Sequence, residues 1–295
     1  VFDGELYHTD TINVVINPVN DAPVNLIPGT QTTQEDTSLI FSASNSNQIS
    51  ISDIDNSSAT VTIVANNGVV SLFGLTGLTF TEGDGVADAR ITFSGSLSDI
   101  NNALNGLVFS PSPNFNGSAS LLVQTSDGSI TQTDSVNIVV NAVNDAPTSN
   151  VPAAQNTLED TTLVFSTANN NAITVADIDS DIVTVTLQSD KGGLSLASTL
   201  GLTFLEGNGI NNEKMVFTGQ IVDINTALQG LQFIPNANVN GQATLQIQTN
   251  DGEFNDVKTV NITIDAVNDP PENTVPSAQT ITEDTPFIFS QSNHN

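Results

Sequence analysis

Residues 243–264 read Ala-Thr-Leu-Gln-Ile-Gln-Thr-Asn-Asp-Gly-Glu-Phe-Asn-Asp-Val-Lys-Thr-Val-Asn-Ile-Thr-Ile, and this stretch decides the fold class. Ala243, Leu245 and Ile247 alternate with Thr244, Gln246 and Gln248, and Val260, Ile262 and Ile264 alternate with Asn261 and Thr263. A period of two puts apolar side chains on one face of an extended chain and polar ones on the other, the pattern of a half-buried strand. Asp251-Gly252 between the two runs is a turn signal. Thr60-Val61-Thr62-Ile63 alternates in the same way.

Working outward, the chain repeats itself at a spacing of 124 residues. Asp-Gly recurs at Asp3-Gly4, Asp127-Gly128 and Asp251-Gly252. Asn-Asp-(Ala/Pro)-Pro recurs around Asp21, Asp145 and Asp269, Glu-Asp-Thr at Glu35, Glu159 and Glu283, and Asp-Ile-Asp at Asp53 and Asp177. No gap is needed, and 57 of the 124 paired positions are identical, which establishes a duplication. Of the 11 acidic positions in the first full copy, 8 are unchanged in the second, so carboxylates are kept above the average. The predicted organisation is the C-terminal strand or strands of a preceding repeat (1–21), two complete repeats (22–145 and 146–269) and the N-terminal part of a following one (270–295). Interrupted in mid-unit at both ends, the sequence reads as a piece of a longer array.

Each repeat carries one helical exception. Ile100, Ala103, Leu104 and Leu107 fall at i, i+3, i+4 and i+7, with Asp99 as a helix N-cap and Gly106 near the end, and the pattern returns from Asp223 to Leu231. A capped amphipathic turn of this kind is a short helix. With about seven short strands per repeat, the expectation is an all-β protein of tandem antiparallel Greek-key β-sandwiches stacked end to end.

Composition narrows the function. The 295 residues carry 32 acidic side chains against 4 basic ones, a formal charge of −28, so no basic patch can form. Nucleic acid and anionic membrane surfaces are thereby excluded as partners. No stretch approaches the ~18 apolar residues of a membrane helix, so no membrane insertion is expected. There is no cysteine, and the two histidines, His8 and His294, lie outside the full repeats and read as exposed. Apolar residues make up 38%, enough for real cores, with Phe41, Phe80, Phe93, Phe109 and their counterparts as core residues. An enzyme would have to run on a carboxylate pair alone, so a non-enzymatic role is expected. With no Trp and a single Tyr (Tyr7), a stacking platform for sugars and strong interface hot spots are disfavoured.

Strand parity places the acidic residues. A strand of ~10 residues at ~3.4 Å each makes a sandwich roughly 35–45 Å long. Asp21 starts at an N-terminal pole, and Glu35 and Asp36 lie one traverse away at a C-terminal pole, with Asp99, Asn144 and Asp145. Asp53, Asp55 and Asp127 return to the N-terminal pole beside Asn20 and Asp21. Stacking then gathers Glu35, Asp36, Asn144, Asp145, Asp177, Asp179 and Asp251 at the junction of the full repeats. Glu159, Asp160, Asn268 and Asp269 stand at the next junction, and Glu283 repeats the motif beyond it. So many carboxylates cannot all stay ionised without a counter-charge, and Lys and Arg are missing. A hard cation with six to eight oxygen ligands answers the need, and calcium tolerates irregular coordination better than magnesium.

The ordered set Val-Asn-Asp-Ala-Pro (Val143 to Pro147), Glu-Asp-Thr (Glu159 to Thr161), Asp-Ile-Asp (Asp177 to Asp179) and Asp-Gly (Asp251-Gly252) resembles bacterial cadherin-like (Ig-like) tandem repeats. Such repeats form the extender regions of giant surface adhesins, often of the repeats-in-toxin secretion class. The resemblance implies calcium at the junctions, held by the early Glu, the Asp-x-Asp pair and the linker Asn-Asp. It implies a calcium-stiffened extender on a bacterial cell surface, outside the cell, whose partners are calcium and neighbouring repeats of its own chain. The linker is a residue shorter than in animal cadherins, and their Asp-Arg-Glu motif is absent.

Plainer readings compete with metal binding at several positions. Asp36 and Asp160 suit a bond to backbone, and Asp127 is first a turn residue. The loop Glu82-Gly83-Asp84-Gly85 to Asp88 is either a glycine-rich hairpin or a second calcium site. An adhesion module with homophilic or glycan contacts of its own is the alternative function.

Overall fold

The computed structural model describes residues 4, 5, 9–271 and 273–290, so Tyr7, His8 and His294 lie outside the described residues. The chain divides into two compact units, Val1–Asn144 and Asp145–Asn295. The division falls at the linker where the sequence repeat turns over.

The first unit builds eleven strands and a helix: β1 (Val24–Leu26), β2 (Gln31–Gln34), β3 (Leu39–Phe41), β4 (Ser50–Ser52), β5 (Ser58–Asn66), β6 (Gly68–Ser71), β7 (Thr79–Glu82), β8 (Arg90–Ser96), α1 (Leu97–Leu104), β9 (Leu107–Pro111), β10 (Gly117–Ser126) and β11 (Thr131–Asn141). A six-stranded sheet runs β2-β11-β10-β5-β8-β7, a three-stranded sheet runs β3-β9-β6, and β1 pairs with β4. Eleven strands exceed the seven expected, because three-residue strands such as β1 and β4 are too short to show a period. One pair is parallel rather than antiparallel, β2 along β11 with Gln31 opposite Ile138. The quoted hairpin and its first copy form as expected, with Leu121 facing Val136 and Val123 facing Asp134 across β10 and β11.

The core lies between the six- and three-stranded sheets. Val61, Ile63, Ile91, Phe93, Leu121, Val123, Val136 and Ile138 come from the larger sheet, and Phe41, Val70 and Phe109 from the smaller, all buried. Each such side chain contributes roughly 1.5–3 kcal/mol by leaving water. Phe80 is only partly buried, its ring 5.8 Å from that of Phe93 at the sheet margin. The helix closes the cluster with Ile100, Ala103 and Leu104, whereas Leu107 opens β9 instead of continuing the helix. Its N-cap is Ser96, whose hydroxyl accepts the N–H of Asp99. Asp99 is therefore the third helical residue and not the cap.

The second unit repeats this series as β12 (Thr148–Asn150), β13 (Gln155–Leu158), β14 (Leu163–Phe165), β15 (Thr174–Ala176), β16 (Ile182–Ser189), β17 (Gly192–Ser195), β18 (Thr203–Glu206), β19 (Lys214–Gln220), α2 (Ile221–Leu228), β20 (Leu231–Pro235), β21 (Gly241–Asn250) and β22 (Asn255–Asp265). Its sheets have the same strand order, with β13 parallel to β22. Each unit is thus an Ig-like β-sandwich with one helix. Residues 9–21 hold no strand, and Val14, Val15 and Ile16 are exposed; part of the expected terminal strand segment, 1–3 and 6–8, lies outside the described residues. The counterparts of Val14, Val15 and Ile16 in β11 are held by β10. Among the described residues no helix is long and apolar enough to cross a membrane.

Candidate metal centre

The N-terminal pole of the first unit gathers the residues that parity assigned to it. The Asp21 N–H donates to Asp55 Oδ2 at 2.7 Å, and the Asn20 side-chain amide donates to Asp127 Oδ2 at 2.7 Å. Asn56 Nδ2 donates to Asn20 Oδ1 at 3.0 Å, tying the acidic loop to the linker a second time. Within the loop, the N–H groups of Asp55 and Asn56 both donate to Asp53 Oδ1, at 2.8 and 2.7 Å. This shapes the Asp-Ile-Asp segment into a turn that leaves Ile54 outside, 84% exposed. Asp53 Oδ2, by contrast, is buried and has no hydrogen-bond partner. Asp127 Oδ1 accepts from the N–H groups of Ser129 and Ile130, so the Asp-Gly turn holds its own carboxylate. The Asn20 amide, followed by the Ile130 and Ser129 N–H groups, keeps the Asp127 carboxyl below its ordinary value of 3.8.

The second unit builds the same pole. The Asp145 N–H donates to Asp179 Oδ2 at 2.7 Å, and the N–H groups of Asp179 and Ser180 donate to Asp177 Oδ1 at 2.9 and 2.8 Å. Asp177 Oδ2 is again buried without a partner. Asp251 Oδ1 accepts from the N–H groups of Glu253 and Phe254, both at 2.7 Å.

At the C-terminal pole of each unit stands the early glutamate. Glu35 is 3% exposed and Glu159 5%, far below the usual exposure of a carboxylate. Glu35 Oε1 accepts the Val143 N–H, and Glu159 Oε1 accepts the Val267 N–H, so each grips the linker that leaves its own unit. Glu35 Oε2 is buried without a partner, while Glu159 Oε2 lies 3.4 Å from Asn240 Nδ2. Asn144 closes the first unit immediately after this grip. Asn268 and Asp269 follow Val267 and are exposed, as is Glu283 in the strandless segment beyond.

At Asp36 and Asp160 the backbone bond expected as the plainer reading is present. Asp36 and Asp160 have φ values of 55° and 59°, a left-handed conformation that Asp tolerates. Their Oδ1 atoms accept the N–H groups of Asn114 and Asn238. They are turn residues that latch a neighbouring loop. Asp99 is not at the C-terminal pole: the helix begins beside the acidic loop, with the Leu97 N–H on the Ser57 carbonyl at 2.9 Å. The polar stretch Ser42–Gln48 folds into a turn, and the chain after it runs on through β4 into the loop at residue 53.

The loop at residue 84 is a hairpin held by its own chain. Asp88 Oδ2 accepts the N–H groups of Asp84 and Gly85, and in the second unit Asn212 Oδ1 does the same for Asn208 and Gly209. An amide performing the same task shows that charge is not what the position requires. Glu82 pairs with Arg90 at 2.7 Å and Glu206 with Lys214 at 2.8 Å. Arg90 and Lys214, which look like drift in the sequence, therefore do one job.

The donor set consists of oxygen alone, from Asp, Glu, Asn and the backbone, and it suits a hard cation. Among the described residues, no three His, Asp or Glu side chains converge closely enough to hold a metal by themselves. What fits a cation is the buried carboxylate oxygen left bare at Asp53, Asp177 and Glu35, since such an atom costs about 1–3 kcal/mol until something meets it. Asn56, which links loop and linker, is a further candidate that the motifs did not mark. Its counterpart is Ser180, so the repeat comparison hid it.

No protein-family model and no curated protein matches the chain. Among solved structures, the titin Z1Z2 domains in complex with telethonin are 13% identical, covering 85% of this chain and 100% of that one, at a TM-score of 0.26. The C-terminal domain of the Streptococcus agalactiae AgI/II polypeptide BspA is 8% identical over 82% of this chain and 99% of that one, at 0.26. Fibronectin(III)-like modules of Clostridium thermocellum CbhA are 11% identical over 85% and 100%, at 0.24. With scores of this size, the sandwich assignment rests on the strand pairing and cores of the chain itself.

Proposed function

We propose that the chain is a calcium-binding structural extender, part of a large adhesin displayed outside a bacterial cell. In this reading calcium at the ends of successive repeats stiffens a rod that projects a distal adhesive domain. One observation carries the proposal: Asp53 and Asp177, 124 residues apart, each keep a buried carboxylate oxygen without a partner beside further oxygen donors. Asp53, Asp55, Asn20, Asp21 and Asp127 would hold the ion in the first unit. Asp177, Asp179, Asp145 and Asp251 would do so in the second, while Glu35 with Asn144 and Glu159 with Asn268 would offer ligands at the C-terminal poles of their own units. A bound calcium supplies the counter-charge that the scarcity of Lys and Arg withholds. Extracellular calcium modules bind at ~10⁻⁴–10⁻³ M, so such sites are empty in cytosol and filled outside. A non-enzymatic role belongs to the same reading.

Small-angle scattering with excess calcium and then with chelator tests the proposal. The maximum dimension is expected to be sharply defined with calcium and the scattering to broaden without it. Identical curves and identical melting temperatures would sink it.

A further inference from the structure

Among the described residues each sandwich has one helix, and two of its polar contacts flank the acidic loop. In the first unit the Asn101 side chain, from the middle of α1, donates Nδ2 to the Ile51 carbonyl and accepts the Ile51 N–H on Oδ1, both at 2.8 Å. Strand β4 pairs only with β1, so Ile51 would otherwise meet no strand on its other edge. The amide of Asn101 takes the place of that strand. Six residues after Ile51, the Ser57 carbonyl accepts the N–H of Leu97, the first residue of the same helix. Between these two anchors lie Asp53, Asp55 and Asn56. One rigid element therefore holds both roots of the loop that carries the bare Asp53 oxygen.

The second unit reproduces every part of this device. Asn225 donates to the Val175 carbonyl at 2.9 Å and accepts the Val175 N–H at 2.8 Å, and the Ile221 N–H donates to the Asp181 carbonyl at 2.8 Å. Three of the eight helical positions differ, and so does the cap. Ser98 has become Val222, Asn102 has become Thr226, and the Ser96 cap is Gln220, whose side chain makes no capping bond. A cap worth about 1 kcal/mol has been lost while the two-bond grip of the half-buried asparagine stays.

We infer that Asn101 and Asn225 are positioning residues for cation capture, setting the Asp-Ile-Asp loop in its binding shape before the ion arrives. The inference rests on the reading of the N-terminal pole as a calcium site. A loop already in shape spends less of the binding free energy on ordering itself, so the amide should act on affinity. Removing a group that orients a metal ligand weakens metal binding about 10–100-fold.

The test is calcium titration calorimetry on the two-unit chain as wild type, Asn101→Ala and Asn225→Ala, with Asn102→Ala as an exposed neighbour on the same helix. Melting temperatures are measured for each in chelator. Asn101→Ala is expected to weaken calcium binding at one unit by about ten-fold or more, with Asn102→Ala at the wild-type value and chelator melting little changed. Wild-type affinity in both Asn101→Ala and Asn225→Ala overturns the inference while leaving the calcium reading intact. If Asn101→Ala fails to fold in chelator, Asn101→Ser, whose hydroxyl leaves room for a bridging water, is expected to fold and to bind more weakly. Wild-type affinity there overturns the inference equally. A wild-type chain that binds no calcium overturns both the reading of the pole and the inference.

Discussion

The bare oxygens of Asp53 and Asp177 allow a perturbation that separates cation binding from folding. Exchanging both for asparagine keeps the shape of the side chain and an Oδ1 that accepts the same two backbone N–H groups, Asp55 and Asn56 in one unit, Asp179 and Ser180 in the other. Only the buried, partnerless Oδ2 changes, from a charged oxygen to an amide nitrogen. Without calcium, one unsatisfied buried atom replaces another, and losing the charge offsets the weaker hydrogen bonds. Stability in chelator should therefore shift by less than about 1 kcal/mol per unit. With calcium at ten times its dissociation constant, each filled site adds about 1.4 kcal/mol to the wild type. For a unit of this size that raises the melting temperature by about 5 °C per site. The assay is scanning calorimetry of wild type and Asp53→Asn/Asp177→Asn, each with calcium and with chelator. The wild type should show the calcium-dependent rise, and the variant should lose most of it with its chelator transition in place. An undiminished rise in the variant would refute the reasoning, because the bare oxygens would then have no part in binding.

Three further outcomes follow from the geometry. Phe109→Ala, at a fully buried position in the centre of the three-stranded sheet, should cost about 3–5 kcal/mol and split thermal unfolding into two steps, the first unit melting early and the second unmoved. The Asp127 carboxyl is held below its ordinary value, so its contribution to stability is present above pH 4 and is lost as the pH falls through its folded value. Asn20→Ala should make the first unit lose less stability between pH 5 and pH 2 than wild type, measured by urea unfolding across that range. Asp88→Asn should leave both chelator stability and the calcium response within error, because Asn212 already makes the same bonds in the second unit, and a weakened calcium response would restore the hairpin loop as a site.

The likeness between the two units also sorts which acidic residues are interchangeable. Glu82 and Glu206 keep their partners although arginine becomes lysine, which an exposed pair worth about 0–1 kcal/mol can absorb. Asp88 and Asn212 exchange a carboxylate for an amide because two backbone N–H groups ask only for an acceptor. Asp53 and Asp177 do not exchange, and both have an oxygen to spare.

The period of 124, the strand alternation at Ala243–Ile247 and the acidic motifs were all plain in the chain, because each depends only on residue type and spacing. The same arithmetic placed Asp21, Asp55 and Asp127 at one pole, since long strands have fixed rise and Asp-Gly marks where they reverse. Spacing misplaced Asp99, because a helix advances 1.5 Å per residue against about 3.4 Å for a strand, and counting strands across α1 carried it to the wrong end. It could not show that Asp36 and Asp160 sit in left-handed turns with one oxygen on a neighbouring loop. Which carboxylate oxygens are buried, which are met by N–H groups and which stay bare depends on packing between segments as much as a hundred residues apart. Only the folded chain could decide that, and it is the same long-range packing that brings the amide of Asn101 onto Ile51, a contact no local pattern announces.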